Sequence, residues 1–303
     1  MDYVLQTDGL TKRYRKSLAL DGLTIRVPRG AIYGFVGKNG AGKTTLIRLI
    51  CGLQAATSGS FALYGVRNDS PEISRSRRRM GAIVEAPAIY ADMTAEENLR
   101  QQYLVLGLPS FDGIDELLKL VGLENAGKKK VKRFSLGMKQ RLGIAVALVG
   151  NPDFLVLDEP VNGLDPQGIV ELRELILKLN RERQITVLIS SHILDELSRL
   201  ATHYGIIDHG RMVKELSAEE LDAACRKCAR VEVSDIAALS RVLDAMGLEY
   251  KIISDNTADI YAKVNVTRLV LALVKENCEV LSMTERDESL ESYFISLTGG
   301  EAR

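Results

Sequence analysis

Short apolar runs alternate with longer amphipathic stretches over roughly the first 215 residues of the chain. The runs Ala31–Val36, Phe154–Leu157 and Ile185–Ile189 are almost entirely apolar. Continuous apolar runs of this length are typical of strands that are buried on both faces of a parallel sheet. Because helical patterns separate these runs, the alternation predicts a three-layer α/β core over residues 1–215.

Residues from about 88 to 147 interrupt this alternation, because helical spacing replaces the short apolar runs. We therefore predict a helical subdomain that is inserted into the α/β core. Its predicted helices are Thr94–Leu106, Phe111–Val121 and Leu136–Val149.

Residues 216–303 carry a different pattern, which predicts a small accessory domain. Strands and helices follow one another there in the order β-α-β-β-α-β, which is the ferredoxin-like arrangement. This stretch shows no catalytic constellation, and the sequence leaves its role open. The predicted elements are Arg230–Val233, Ile236–Met246, Glu249–Ser254, Ala258–Val264, Val266–Glu276 and Cys278–Met283.

Composition narrows the class of protein. The chain has 303 residues, 46% of them hydrophobic, which is enough for two domains with cores of their own. Its 40 Lys and Arg balance its 40 Asp and Glu, so the overall charge gives no support to nucleic-acid binding. Met1–Thr7 does not have the pattern of a secretory signal, and the longest apolar stretch, Leu142–Val149, is far shorter than the about 20 residues of a membrane span. We expect a soluble, cytoplasmic protein.

Two of the four cysteines, Cys225 and Cys228, form a C-x-x-C. Such a pair occurs in zinc sites and in redox sites. A structural zinc site needs four ligands, and neither a second C-x-x-C nor a pair of histidines lies nearby. The pattern therefore favours two free thiols.

A glycine-rich segment follows the first buried run. It fits the phosphate-binding pattern G-x-x-x-x-G-K-[ST], and the apolar stretch Leu46–Cys51 after it is expected to be helical. Strand, glycine loop and helix are the context in which this motif binds phosphate. The residues expected to contact the phosphates are Gly37, Asn39, Gly40, Ala41, Gly42, Lys43, Thr44 and Thr45.

The residue types of this segment explain the chemistry. Glycines allow the backbone to turn tightly and to point its N–H groups at phosphate oxygens, and the helix N-terminus adds its positive dipole end. Lys43 is expected to reach the β- and γ-phosphates, and Thr44 offers its hydroxyl to Mg²⁺. The other interpretation is a chance glycine-rich turn, which the fitting flanks argue against.

The second buried run ends in two carboxylates, Asp158 and Glu159. Ligands bind at the carboxyl ends of parallel strands, which is where these side chains are expected to lie. Asp158 is expected to face Mg²⁺, and Glu159 to orient or deprotonate the attacking water. Taken alone, the two residues fit an ordinary strand end before Pro160 equally well.

Phe134–Arg141 resembles the L-S-G-G-Q-type signature of the ABC (ATP-binding cassette) ATPases, with Leu136 where the family often has Gly. The resemblance implies a P-loop NTPase core and a dimer. It also implies that Ser135 and Gly137 contact the γ-phosphate of ATP held by the partner subunit. The simpler alternative is that Ser135 only caps a helix.

Three further positions match this family. Asp165, in Asn162–Pro166, is at the position of the D-loop, which crosses the dimer interface in the family. His192 follows the third buried run and matches the switch histidine, which contacts the γ-phosphate. Tyr14 matches the aromatic residue that stacks on adenine, although it also fits a surface tyrosine in a basic stretch.

Glu85 occupies a position at which the family usually has Gln, which contacts Mg²⁺ and the membrane subunit. The Glu variant resembles the ATPases of bacitracin-resistance and lantibiotic-immunity exporters, as do the signature segment and residues 287–294. A carboxylate is a harder oxygen ligand than an amide, so we expect Glu85 to act as a metal ligand and in catalysis. The alternative is a tolerated exchange without a changed role.

The resemblance implies the ATP-hydrolysing subunit of an ABC transporter, with ATP and Mg²⁺ as cofactors. We expect it to power a separate transmembrane permease that exports an antimicrobial peptide or another small amphipathic compound. A second ATP-binding subunit, expected to be another copy of the chain, completes the dimer. The permease would place the protein at the inner face of the cell membrane.

Two alternatives remain at this point. A soluble ABC-type ATPase acting in translation or DNA repair typically has two cassettes in one chain or a long coiled-coil insertion, and the sequence shows neither. A regulatory nucleotide-binding module without turnover is disfavoured by the presence of Lys43, Asp158, Glu159 and His192.

Overall fold

The computed structural model describes residues 2–15, 17–225, 228–261 and 264–286, together with residues 293, 294 and 297. The chain divides into two compact units, residues 1–218 and residues 219–303. None of the helices in the described part combines the length and the apolar character that a membrane span requires.

The first unit contains two sheets and a set of helices. Its strands and helices, in chain order, are β1 (Tyr3–Tyr14), β2 (Ser17–Leu23), β3 (Arg26–Pro28), β4 (Ile32–Val36), α1 (Lys43–Ile50), β5 (Ser58–Leu63), β6 (Val66–Arg67), α2 (Ile73–Arg77), β7 (Met80–Ile83), α3 (Ala95–Leu106), α4 (Ile114–Leu120), α5 (Leu136–Leu148), β8 (Phe154–Asp158), α6 (Pro166–Arg183), β9 (Thr186–Ser191), α7 (Leu194–Ser198), β10 (His203–Asp208) and β11 (Arg211–Ser217).

The core sheet has the strand order β11-β10-β4-β9-β8-β7. Its five strands from β10 to β7 are parallel, and β11 pairs with β10 in the antiparallel direction. Every residue of β4, β8 and β9 is buried, which explains why these strands are continuous apolar runs. The predicted α/β core is confirmed, and the segments that follow β4, β8 and β9 emerge at one edge of the sheet.

An antiparallel sheet of β1, β2, β3, β5 and β6 packs with the core sheet through α1. One apolar cluster includes Leu5 and Leu63 of the antiparallel sheet, Leu46 of α1, and Phe35 and Val156 of the core sheet. Burial of these side chains fixes α1, and therefore the glycine loop before it, against both sheets.

The predicted helical subdomain is present as α3, α4 and α5. Thr94 lies just before α3 rather than in it, because it forms a capping box with Glu97. α4 begins at Ile114 and not at the predicted Phe111, since Gly113 in the left-handed conformation precedes the first helical residue. α5 ends at Leu148 because Val149 is extended.

The second unit contains, in chain order, α8 (Ala218–Ala224), β12 (Cys228–Val233), α9 (Ile236–Met246), β13 (Tyr250–Ser254), β14 (Thr257–Ile260), α10 (Val266–Lys275) and β15 (Val280–Arg286). Its four strands form an antiparallel sheet with the order β13-β14-β12-β15, and its apolar core lies against α9 and α10. The end of the predicted strand Ala258–Val264 includes residues 262 and 263, and the matched tail includes residues 287–292; both sets lie outside the described residues. Cys225 and Cys228 are half-buried, and neither forms a disulfide.

A polar cluster around Asp153 joins the two sheets of the first unit. Asp153 immediately precedes β8, and its carboxylate pairs with Arg79, which immediately precedes β7. It also accepts a hydrogen bond of 2.5 Å from the hydroxyl of Tyr64, which follows β5 of the antiparallel sheet. The guanidinium of Arg79 lies 3.8 Å from the centre of the Tyr64 ring.

The Asp153 cluster leads to a pH-dependent prediction. Burial raises the pKa of the Asp153 carboxyl, but the hydrogen bonds from Tyr64 and Arg79 and the nearby guanidinium charges outweigh burial and hold that pKa below its usual value. The stabilisation is therefore present above the unfolded pKa of about 3.9 and is lost as the pH falls through the folded value. We expect Asp153→Asn to lower the free energy of unfolding by about 1 kcal/mol at pH 7.

Urea unfolding of both proteins between pH 7 and pH 3 measures this difference, which is expected to shrink toward acid pH. Asp69→Asn is the matched control, because Asp69 forms an exposed pair with Arg67. A difference of the same size at pH 7 and pH 3 would contradict the role given to the Asp153 charge.

Candidate active site

The glycine loop connects β4 to α1 in a conformation that depends on its glycines. Gly40 and Gly42 have φ values of 82° and 114°, which side chains rarely adopt. A Cβ at Gly42 would also lie 2.5 Å from the carbonyl oxygen of Ala19. The loop therefore combines positive φ with a close backbone approach, as a phosphate cradle requires.

α1 begins at Lys43, three residues earlier than the expected helical stretch from Leu46. The pattern of apolar residues could not place this start, because the first turn of α1 is polar. Gly42 precedes the helix without a side-chain cap, and the first turn contains no acidic residue. The N–H groups at this helix end are therefore open to an anion, and Lys43 and Thr44 stand beside them.

The Lys43 ammonium lies inside the loop, with only 5% of the residue exposed. It donates hydrogen bonds to the carbonyl oxygens of Gly37 at 2.6 Å and Lys38 at 3.2 Å. Its nitrogen also lies 3.1 Å from Oε1 of Glu159, which forms an ion pair across the site. The glycine loop and the end of β8 thus meet at one buried positive charge.

Ser190 holds the two carboxylate residues together. The register of β8 and β9 places Ser190 opposite Asp158, and the serine hydroxyl donates a 2.6 Å hydrogen bond to the Asp158 carboxylate. The hydroxyl oxygen of Ser190 also accepts a 2.9 Å hydrogen bond from the backbone N–H of Glu159. Glu159 directly follows β8 and has a φ of 47°. The sequence pattern gave Ser190 no role.

Glu159 and His192 form a polar pair beside Lys43. His192 Nδ1 lies 2.7 Å from Oε2 of Glu159. The other oxygen, Oε1, is buried and has no hydrogen-bond partner among the described residues, and the Lys43 nitrogen, its ion-pair partner, lies 3.1 Å away. A buried carboxylate oxygen with a free acceptor position can take a proton from a water molecule.

A second carboxyl group lies behind His192. Ser191 accepts a 3.0 Å hydrogen bond from the N–H of Ile193, and its hydroxyl lies 3.4 Å from Oε2 of Glu196. Burial raises the pKa of the Glu196 carboxyl, and the charge of Glu159 raises it further, against the opposing effects of Ser191 and His192. These contacts fix the backbone on both sides of His192.

The residues at the loop fit a magnesium ion by their chemistry. Thr44 carries its hydroxyl in the first turn of α1, and Asp158 is a carboxylate that is 1% exposed. Hydroxyl and carboxylate oxygens are the ligands that Mg²⁺ prefers beside phosphates. The Oε1 atom of Glu159, which is buried and has no hydrogen-bond partner among the described residues, is also a group that a cation stabilises.

Glu85 lies apart from this network. It follows β7, has a φ of 62°, and its side chain is 60% exposed. Its carboxylate pairs with Arg48 near the end of α1. The sequence interpretation gave Arg48 no role, because nothing in the pattern connects two residues that are 37 positions apart.

The remaining predicted residues lie at helix starts and on the surface. Ser135 caps α5 through a 3.2 Å hydrogen bond from Met138 N–H, so the capping role is observed. Asp165 caps α6 in the same way, with a 3.1 Å bond from Gly168 N–H. Tyr14 ends β1 and is 36% exposed, and its hydroxyl contacts Gln54, which the sequence analysis did not single out.

Comparison with known proteins agrees with this arrangement. A family model described as ABC transporter matches residues 20–162. The bacitracin transport ATP-binding protein BcrA of Bacillus licheniformis is 43% identical over 305 residues, which cover 99% of each chain. The lantibiotic transport ATP-binding protein SrtF of Streptococcus pyogenes is 44% identical over 70% of this chain and 90% of its own.

Solved structures show the same fold. The structure of cbiO1 from Clostridium perfringens, part of the ABC transporter complex cbiONQ, aligns with a TM-score of 0.66 and 28% identity, over 74% of this chain and 92% of its own. These similarities confirm the predicted family and cassette fold and do not favour a soluble ATPase of translation or DNA repair. The ferredoxin-like assignment of residues 216–303 stays a prediction.

A glycine loop with a buried lysine, a helix start open to an anion and a Glu–His pair beside them is an arrangement for binding and hydrolysing ATP. Relatives that align over nearly the whole chain are transport ATP-binding proteins. The chain therefore belongs to the ATP-binding subunits of ABC transporters, ATPases that work with a membrane permease.

Proposed function

We propose that this ATPase powers the export of an antimicrobial peptide or another small amphipathic compound. The contact of Glu159 with both Lys43 and His192 carries the hydrolytic part of the proposal. The transported class rests on the similarity to bacitracin and lantibiotic transport proteins. Residues 1–215 form the ATP-binding domain in this proposal, and residues 216–303 form a small accessory domain.

The phosphate loop and α1 hold the triphosphate. Backbone N–H groups of the glycine loop and of the start of α1 bind its oxygens, and Lys43 supplies a fixed positive charge at the β- and γ-phosphates. An arriving γ-phosphate competes with Glu159 for the Lys43 ammonium. This competition frees the Glu159 carboxylate at the moment when the nucleotide is in place.

Thr44 and Asp158 hold Mg²⁺ in this proposal, and Glu85 is a further ligand. When bound, the ion neutralises negative charge on the phosphates. Ser190 orients the Asp158 carboxylate through the 2.6 Å hydrogen bond, so β9 takes part in positioning the ligand.

Glu159 orients the attacking water and accepts its proton at the oxygen that has no hydrogen-bond donor among the described residues. His192 contacts the other oxygen of the same carboxylate and steadies both the carboxylate and the γ-phosphate. Preorganised charges and hydrogen bonds of this kind supply most of what phosphoryl transfer needs.

A second copy of the chain completes each site. Ser135 and Gly137 lie at the start of α5, where helix N–H groups attract an anion, and Asp165 caps the start of α6. We assign these residues to the ATP that the partner holds. Tyr14 offers its exposed ring to the adenine of the nucleotide in its own loop.

The permease is expected to contact the helical subdomain. Leu104, Val105 and Leu106 at the end of α3 are exposed by 59%, 74% and 44%, and Tyr90 by 57%. Exposed apolar side chains grouped in this way are typical of protein interfaces. Docking there places the chain at the inner face of the cell membrane.

Glu159→Gln is expected to abolish turnover without abolishing ATP binding. The amide keeps the shape of the side chain but cannot accept a proton, so the ATP hydrolysis rate should fall about 10²- to 10⁴-fold. Phosphate release and the binding of a fluorescent ATP analogue measure the two effects separately. Glu182→Gln, at an exposed position of α6, removes the same charge and should change neither ATP binding nor hydrolysis. Equal losses of binding and hydrolysis in Glu159→Gln would contradict its role.

Mixing two inactive variants tests whether Ser135 acts on the partner's nucleotide. Lys43→Ala disables the loop of one chain, and Ser135→Arg disables the signature segment of the other. A mixed dimer then keeps one intact site, and random pairing should restore about a quarter of the wild-type activity. Mixing the Ser135→Arg chain with a chain that carries both substitutions is the control without an intact site. No recovery in the first mixture would show that Ser135 acts within its own chain.

Tagged Glu159→Gln protein, purified in the presence of ATP from detergent-solubilised cells of its host, should retain a polytopic membrane protein.

Deletion of the gene that encodes this chain should make the host more sensitive to a cyclic peptide antibiotic or a lantibiotic. The wild-type chain should restore growth, and Glu159→Gln should not, because export needs hydrolysis. Recovery of ribosomes or nucleic acid, with unchanged sensitivity, would favour the soluble ATPase instead.

A further inference from the structure

Arg48 of α1 forms an ion pair with Glu85, the residue that the proposed function assigns to the metal. Arg48 follows Thr44 by four residues on α1, so the two side chains share one face of the helix. Four residues rise by about 6 Å along the helix axis. The pair with Arg48 therefore ties the Glu85 carboxylate to the helix that also carries the hydroxyl assigned to Mg²⁺.

The backbone at Glu85 supports this position. Ala86 N–H donates a 2.7 Å hydrogen bond to Val84 O, which closes a three-residue turn with Glu85 at its centre. With a φ of 62° at its central residue, this is the γ-turn with positive φ, which is rarer and more strained than the inverse γ-turn. Strained residues of this kind occur where a segment is held by its surroundings and changes conformation in function.

The charges explain why a carboxylate differs from an amide at this position. A glutamine cannot form an ion pair with Arg48, whereas Glu85 does. A guanidinium and a divalent cation attract the same carboxylate oxygens, so Arg48 and Mg²⁺ compete for Glu85. No other residue within the described ranges is paired with either side chain by an ion contact in this structure.

We propose that Arg48 is a positioning residue that holds Glu85 away from the metal site until Mg²⁺ and ATP are bound. This inference rests on the proposed function in one respect, the assignment of Glu85 to the metal. Binding of Mg²⁺ breaks the Arg48–Glu85 pair and lets the turn at Glu85 rearrange.

The test compares Arg48→Gln with Arg48→Lys, both in the Glu159→Gln chain so that ATP is not consumed. Binding of Mn²⁺ in the presence of saturating ATP is followed by electron paramagnetic resonance. Removing the charge of Arg48 should tighten Mn²⁺ binding about two- to fivefold, which is the range of an exposed ion pair, and the lysine variant should stay near the parent. Arg100→Gln breaks a comparable exposed pair with Glu96 and should have no effect.

A double-mutant cycle decides whether Arg48 acts through Glu85. In a chain that also carries Glu85→Gln, Arg48→Gln should no longer change Mn²⁺ affinity. An equal effect with and without Glu85, or no effect in either background, overturns the inference and leaves the proposed function intact. If the Glu159→Gln parent chain binds ATP without a divalent metal, both the inference about Arg48 and the proposed function are overturned.

Discussion

The buried ammonium of Lys43 is the charge on which the rest of the site depends. A lysine that is 5% exposed needs partners, because desolvation of an unpaired charge is costly. Two partners are carbonyl oxygens of its own loop and the third is the carboxylate of Glu159. The loop, α1 and the end of β8 are therefore connected through one nitrogen atom, before any phosphate is considered.

This connection requires the strand register of the core sheet. Ser190 can bond both Asp158 and the backbone of Glu159 only because β9 runs parallel to β8 with Ser190 opposite Asp158. The phosphate loop joins the same edge, since Gly37 N–H donates to Ser191 O at 3.3 Å. A shift of one residue would turn these side chains to the other face of the sheet.

Glu159 and Glu85 share an unusual backbone feature, a positive φ near the end of a core strand. Glu159 directly follows β8, and Glu85 is the second residue after β7. Neither residue type favours this conformation, so the surrounding contacts must maintain it. At Glu159 those contacts are Ser190, Lys43 and His192, and at Glu85 the main one is Arg48. Two carboxylate residues with positive φ thus contact the same helix, α1, from the ends of two different strands.

The sequence by itself determined the class of fold, the glycine loop, the two carboxylates at the end of the β8 run and the family. These features are local: apolar runs, helical spacing and short motifs are properties of neighbouring residues. Only the tertiary structure decided that α1 begins at Lys43, that Ser190 bridges Asp158 and Glu159, and that Arg48 holds Glu85. Each of these contacts joins strands or helices whose relative position is set by strand register and core packing, and hydrophobic patterning does not specify which polar atoms will meet.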